Sequence, residues 1–245
     1  MFDYHAPADL LRDRIILITG ANRGIGAALA KGCATLGARV ILQGRDAAAL
    51  DRVRDDILAS GGPAAATLVL DLEQAEATTY ATVAQRLQAE FGRLDGLVHN
   101  AGLLGPRVPL ESTSPAALAQ VMQVNVHAGF ALTQALLPLL RASADASVIF
   151  TSSSVGRKGR AGWGAYSVSK FATECLMQVW AEELADAGIR VNSVNPGGTR
   201  TAMRAAAYPA EDPARVPAPE AILPVYLYLL GSASRGTTGQ ALNAQ

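Results

Sequence analysis

The chain has 245 residues, 50% of them hydrophobic and 17% charged, with 21 basic and 21 acidic side chains and no net charge. That length allows one large core or two small ones, and the balanced charge gives no electrostatic case for nucleic acid or a membrane surface. No apolar run approaches a membrane span, the first residues do not read as a signal peptide, and Cys33 and Cys175 are the only cysteines, so a cytoplasmic protein with two buried free thiols and no membrane partner is expected.

Residues 14–19, RIILIT, are a continuous apolar run ending at Gly20, the pattern of a strand buried on both faces. GANRGIG follows, then a helix predicted from about residue 25 to 36. Gly20, Gly24 and Gly26 fall at the strand-to-helix turn, where a missing Cβ allows close approach. The helix N-terminus beyond offers free N–H groups and a positive dipole end to a diphosphate. The whole turn, with Asn22, Arg23 and Ile25, is therefore a candidate dinucleotide site, although its spacing is T-G-x-x-x-G-x-G and not G-x-G-x-x-G.

The second strand, ARVILQ, ends in Gly44-Arg45-Asp46. An acid at this strand end suits the ribose hydroxyls of a non-phosphorylated dinucleotide, whereas a basic residue suits a 2′-phosphate. Gly44 stands where the acid would be, and Arg45 and Arg23 both reach the region, so NADP(H) is expected over NAD(H). Asp46 is expected to cap the next helix. A third strand, ATLVLDL, brings Asp71 and Leu72 to its end, where an adenine ring would lie. A fourth, LDGLVHNAG, carries Asn100, Ala101 and Gly102 at its tip, small enough for a ring to lie against the backbone. His99 inside that run reads as a core residue. No His/Cys cluster has metal spacing, so no metal is expected.

Pro115 opens a predicted helix of roughly 27 residues. Asn125 lies in its middle, and a buried amide there must bond something, while Pro138 is expected to kink or loosen the last turns. The fifth strand, SVIFTSSS, delivers Ser152, Ser153 and Ser154 off its end. The next loop carries Arg157, Lys158, Arg160 and Trp163. It is expected to be solvated, with Trp163 packed on the core, and the weaker alternative is attraction of an anionic substrate or an acidic carrier protein. In the helix predicted over 165–187, Tyr166 and Lys170 are four residues apart and share a face. An ammonium beside a phenol favours the phenolate, and lowering the tyrosine pKa by about three units takes roughly 4 kcal/mol.

After strand IRVNSVN come Pro196, Gly197, Gly198, Thr199, Arg200 and Thr201. Residues 202–219 are rich in Ala and Pro, so a mobile lid is expected around 198–219. A last helix over 220–230 and a short strand in GQALNA complete the chain. Strands alternating with helices imply an α/β doubly wound parallel sheet with helices on both faces, as one domain over 1–245. Both long helices are apolar around most of their circumference, through Ala172, Leu176, Met177 and Val179 on one and Val121, Phe130 and Leu136 on the other. Another subunit is expected to cover the surplus.

Thr19-Gly20-x-x-x-Gly24-x-Gly26, Asn100-Ala101-Gly102, Asn125, Ser153, Tyr166-x-x-x-Lys170 and Pro196-Gly197 occur in the order and spacing of the short-chain dehydrogenase/reductase family, which the chain resembles throughout. LLRDRIILITGA, FTSSSVGR and WGAYSVSKFATE resemble its YciK-type oxidoreductase branch. The resemblance implies a single-domain Rossmann fold of about seven strands and an NADP(H)-dependent oxidoreductase acting on a carbonyl or secondary alcohol. Tyr166 would be the general acid or base. Lys170 would hold the nicotinamide ribose and depress the tyrosine pKa, Ser153 would bond the substrate oxygen, and Asn125 would anchor a relay water. Thr199 and Thr201, after Pro196 and Gly197, would meet the carboxamide. Substrate walls are expected from Leu103, Leu104, Val155, Trp163 and the lid over 202–219, and a homotetramer or dimer from the family. The chain stops at Gln245 where the family often adds a glycine-rich segment, so a different pocket floor or subunit contact is expected. The alternatives are a 3-oxoacyl-(acyl-carrier-protein) reductase and an NADP(H)-binding regulator with little turnover.

Overall fold

Residues Ile15–Thr19 form β1 with every residue buried. Its side chains alternate between two cores, Ile15 and Leu17 facing one and Ile16 and Ile18 the other, so helices must cover both faces. The computed structural model describes residues 1–245. The other strands are β2 (Arg39–Gly44), β3 (Ala66–Val69), β4 (Gly96–His99), β5 (Ser147–Thr151), β6 (Arg190–Asn195) and β7 (Ala241–Asn243). All pair in parallel, in the order β3-β2-β1-β4-β5-β6-β7. The order reverses between β1 and β4, which is the switch point where a doubly wound Rossmann sheet opens a crevice at its strand carboxyl ends.

Helices α1 (Gly24–Thr35), α2 (Ala47–Ala59) and α8 (Leu223–Leu230) fill one face. The other is covered by α3 (Ala77–Phe91), α5 (Ala128–Arg141) and α6 (Gly164–Glu183). The long helix predicted from Pro115 is α4 (Pro115–Met122) and α5 joined by one π turn, Gln123–His127, with Asn125 at its centre. Pro138 lies within α5 without ending it.

Two expectations are corrected. Cys33 is buried but Cys175 is exposed, because α6 turns Lys170, Glu174 and Met177 inward and leaves Cys175 on its outer face. Helix α6 ends at Glu183, and a separate 3-10 turn covers Ala185–Ala187. The Ala/Pro-rich segment forms α7 (Ala202–Ala207), started by the Thr201 side chain accepting the Arg204 N–H, and a 3-10 turn at Pro213–Arg215 capped by Asp212.

The amino-terminal ends of the strands, opposite the crevice, carry an ionic cluster. Asp145 meets Arg14 at 3.0 Å, Arg190 at 3.1 Å and Arg235 at 3.7 Å. Beside it, Asp95 accepts from the Ile15 N–H at 2.9 Å and the Ser143 hydroxyl at 2.6 Å.

Candidate active site

The turn after β1 is shaped by its glycines. Gly20 and Gly24 have φ of 64° and 56°, a region that costs other residues strain. A Cβ on Gly26 would stand 2.2 Å from the Gly20 carbonyl oxygen. Arg23, at the N-cap of α1, makes no side-chain cap bond, and no acid occupies the first turn. The first-turn N–H groups therefore have no side-chain acceptor, and the positive helix end is uncompensated. This donor set fits a diphosphate. The Thr19 hydroxyl accepts from the N–H groups of Asn100 and Ala101 at 2.9 and 3.0 Å, pinning the β4 tip beside the turn.

A cleft of about 640 Å³ runs from this turn across the strand ends. It brings together Gly20, Asn22, Arg23, Gly24, Ile25, Arg45, Asp71, Leu72, Asn100, Ala101, Gly102, Leu103, Leu104, Ser153, Trp163, Tyr166, Lys170, Pro196, Gly197, Thr199 and Thr201. Gly26 and Asn125 lie just behind its wall. Val155 is corrected: it is 2% exposed and outside the lining. Ser153 initiates a 3-10 turn over Ser154–Gly156, which turns Val155 into the packing under α6, where its carbonyl accepts the Ser167 hydroxyl at 2.6 Å.

At one end, Arg45 stands 3.9 Å from Asp71 and 3.8 Å from Glu73. Asp71 also accepts the Glu73 N–H, closing a local turn and not capping a helix. Asp46 caps α2, accepting the Ala49 N–H. Arg23 and Arg45 are exposed, so both guanidiniums are accessible to an incoming phosphate.

At the other end, Tyr166 projects from the first turns of α6 into the cleft that Ser153 also lines. Burial pushes the phenol up to about 12, against the opposing pull of Ser153. The shift runs opposite to the expected depression, and burial is its largest cause; the Lys170 ammonium stands 5.6 Å from the ring centre. Lys170 is 4% exposed and donates to the Thr151 carbonyl at 2.7 Å. Burial pulls it down to about 8, while the Glu174 carboxylate one turn along α6 works in the other direction. Asn125 spends its whole amide: Oδ1 accepts the Leu103 N–H at 2.7 Å, and Nδ2 donates to the Leu103 carbonyl and the Ser169 hydroxyl. It thus grips the backbone at the start of the expected substrate wall.

The basic loop is not simply solvated. Arg157 donates to Glu174 at 3.2 Å, to the Asn243 side chain at 2.8 Å and to the Leu242 carbonyl at 3.0 Å, binding β7 to α6. Trp163 packs against Tyr166 and Tyr208, at 5.9 and 5.8 Å between ring centres, and not in the core. His99 bonds Thr133 at 2.8 Å and stacks on Phe150, and burial pushes it down to about 3, so it is a neutral core residue. No group of three or more His, Cys, Asp or Glu is arranged to hold a metal, and no helix is long and apolar enough to cross a membrane.

Sequence reasoning missed Glu73 in the lining, and it placed Met203, Arg204 and Tyr208 there only as part of the 202–219 wall, without singling them out. Glu73 follows a strand end directly and could have been read there. The α7 residues carry no local signal in an Ala-rich run. Gln245 was also missed: its side chain donates to the Pro196 and Gly198 carbonyls at 2.7 and 2.9 Å, bracing the turn after β6.

The sequence model described as "short chain dehydrogenase" matches residues 14–212. The chain is 51% identical to the uncharacterized oxidoreductase YciK of Escherichia coli K12 over 242 residues, covering 99% of this chain and 96% of that one. It superposes on a short chain dehydrogenase from Pseudomonas syringae with a TM-score of 0.98 and 59% identity, covering 100% of both. A short chain dehydrogenase from Escherichia coli CFT073, crystallised with NADPH, gives a TM-score of 0.96 at 51% identity, covering 98% of this chain and 99% of that one.

Proposed function

This chain belongs to the short-chain dehydrogenase family, and from that premise we propose that it is an NADPH-dependent reductase of a carbonyl compound, with the reverse oxidation of a secondary alcohol. One observation carries the reading. A phenol and a serine hydroxyl, backed by a buried lysine, line the same cleft as the uncapped N-terminus of α1. NADP(H), when bound, supplies or takes up the hydride. The first turn of α1 holds the diphosphate, Arg23 and Arg45 hold the 2′-phosphate, and Lys170 holds the ribose hydroxyls. Asn100, Ala101 and Gly102 with Pro196, Gly197, Thr199 and Thr201 flank the nicotinamide end. Ser153 holds the carbonyl oxygen, and Tyr166 gives that oxygen its proton. NADPH consumption over a panel of diketones, quinones, aldehydes, keto sugars and acyl thioesters tests this. Turnover equal or better with NADH would remove the role given to the two arginines, and no turnover beside tight NADPH binding would point to a regulator.

The pH dependence follows from the two titrating groups. Tyr166, held near 12, keeps its proton throughout the working range, whereas Lys170 loses its charge above about 8. The ammonium is the form suited to an anionic dinucleotide, so kcat/KM for NADPH is expected to be flat below that pH and to fall with a single ionisation above it. Lys170→Arg, charged throughout, should lack the break. A profile flat to pH 10 in the parent enzyme would show that the charge of Lys170 is not needed.

We also infer that the chain self-associates. Phe130 on α5 and Val168, Phe171 and Val179 on α6 are 43% to 46% exposed. The last three are separated by three and eight residues, eleven overall, which is about three full turns and places them on one face. Self-association through α5 and α6 would bury this stripe. Sedimentation equilibrium is expected to show a dimer or tetramer at micromolar concentration, and Phe171→Glu a smaller species. A parent protein that sediments as a monomer would overturn this.

A further inference from the structure

The substrate end of the cleft is bounded by three loops far apart in sequence: the one after β4, the one before α6, and the α7 segment. One side chain touches all three. Arg107, on the first loop, donates to the Ala207 carbonyl at the end of α7. Its guanidinium stands 4.2 Å from the ring centre of Trp163, on the second loop, and 5.3 Å from that of Tyr208, just past α7. On the other side, Arg204 lies over Tyr208 at 3.8 Å and is held by a two-point pair with Glu211 at 2.6 and 2.5 Å. Trp163 in turn leans on Tyr166. Trp163, Ala207 and Tyr208 line the cleft but Arg107 does not, so it crosses from outside. Arg107 has no carboxylate within ion-pair distance, which leaves the two rings and one carbonyl as its partners. A planar, weakly hydrated guanidinium suits that place, and a lysine ammonium does not.

We propose that Arg107 is a specificity-determining latch. It holds the three loops together, fixes the width of the substrate mouth, and confines the enzyme to compact carbonyl compounds, keeping out those that trail a chain, such as 3-oxoacyl thioesters. This rests on the reductase reading for its substrates but not for its geometry, so the two can fail separately. The latch joins the far end of a wall and touches neither the α1 turn nor Lys170. Loosening it should widen the mouth and leave the dinucleotide end alone.

The first measurement needs no turnover. Trp180, whose indole N–H has no partner, is replaced by Phe so that Trp163 is the only tryptophan, and acrylamide quenching is read with and without Arg107→Ala and Arg107→Lys. Both variants are expected to raise the quenching constant at least twofold, with NADPH affinity and circular dichroism unchanged. Equal quenching in all three proteins would overturn the latch, whatever the enzyme reduces. The second measurement uses the smallest carbonyl of the panel that the parent turns over and a 3-oxoacyl N-acetylcysteamine thioester. In Arg107→Ala the KM for the small substrate should rise about tenfold with kcat changed less than threefold, and thioester reduction should increase. A fall in kcat at unchanged KM, or unchanged discrimination between the two, would also overturn it. If the parent reduces no carbonyl, the failure is that of the reductase reading, and the quenching result alone decides the latch.

Discussion

Tyr166→Phe is expected to lower kcat for carbonyl reduction about 10³-fold while leaving NADPH affinity within about twofold. General acid catalysis by a placed side chain is worth roughly 10² to 10⁴, and a 10³-fold loss corresponds to about 4 kcal/mol of transition-state stabilisation. The middle of that range is expected because burial pushes the phenol up to about 12, so it keeps its proton as the donor over the working range. Binding should survive because the turn after β1, Arg45, Lys170, the Asn100–Gly102 tip and the turn from Pro196 to Thr201, which together face the dinucleotide, are all left in place. Single-turnover reduction with NADPH in excess, beside a direct NADPH titration, measures the two effects separately. More than a tenth of parental kcat would move the proton donor elsewhere, to Ser153 or a water. Loss of both kcat and binding would make Tyr166 a structural residue.

Asp145→Ala is expected to cost about 3–5 kcal/mol of stability, the usual price of breaking a buried ion pair by removing one partner, and to lower Tm by roughly 10 °C. Asp145 is 12% exposed and Arg190 6%. Burial already lowers the pKa of Arg190, with Asp145 opposing that shift. Without the carboxylate, Arg190 keeps bonds to the Leu229 and Gly231 carbonyls and the Ser234 hydroxyl, but its charge and that of Arg14 face each other uncompensated. Asp145→Asn, which keeps the shape and part of the hydrogen bonding, should fall between parent and Ala. Both variants should keep parental kcat/KM per folded molecule, since the cluster sits at the amino-terminal ends of the strands and the cleft at their carboxyl ends. Thermal unfolding with activity measured below the transition checks both halves. A Tm within about 2 °C of the parent would show that the arginines find other partners or water.

The readings that the chain made available by itself rest on local patterns. Unbroken apolar runs such as residues 15–19 declare strands buried on both faces, and their alternation with helical stretches dictates a parallel, doubly wound sheet. The glycine turn, the strand tips at Asn100–Gly102 and the Tyr166/Lys170 spacing follow from short-range geometry, so the cleft collects nearly all the residues they single out. Tertiary structure decided whatever depends on which distant residues arrive beside them. The direction of the Tyr166 shift was set by the cover over the phenol, which spacing along the chain does not record. Val155 was turned away by the 3-10 turn that Ser153 starts. Arg157 was taken out of the basic loop by partners on β7 and α6. The Ala/Pro-rich segment takes up α7 through the Thr201 cap and carries the Arg204–Glu211 pair, neither of which its composition announces. Arg107, Trp163 and Tyr208 are unremarkable one by one, and only the folding of three loops to one mouth brings them into contact. Periodicity and spacing are properties of neighbours along the chain, whereas desolvation and long-range pairing depend on neighbours in space.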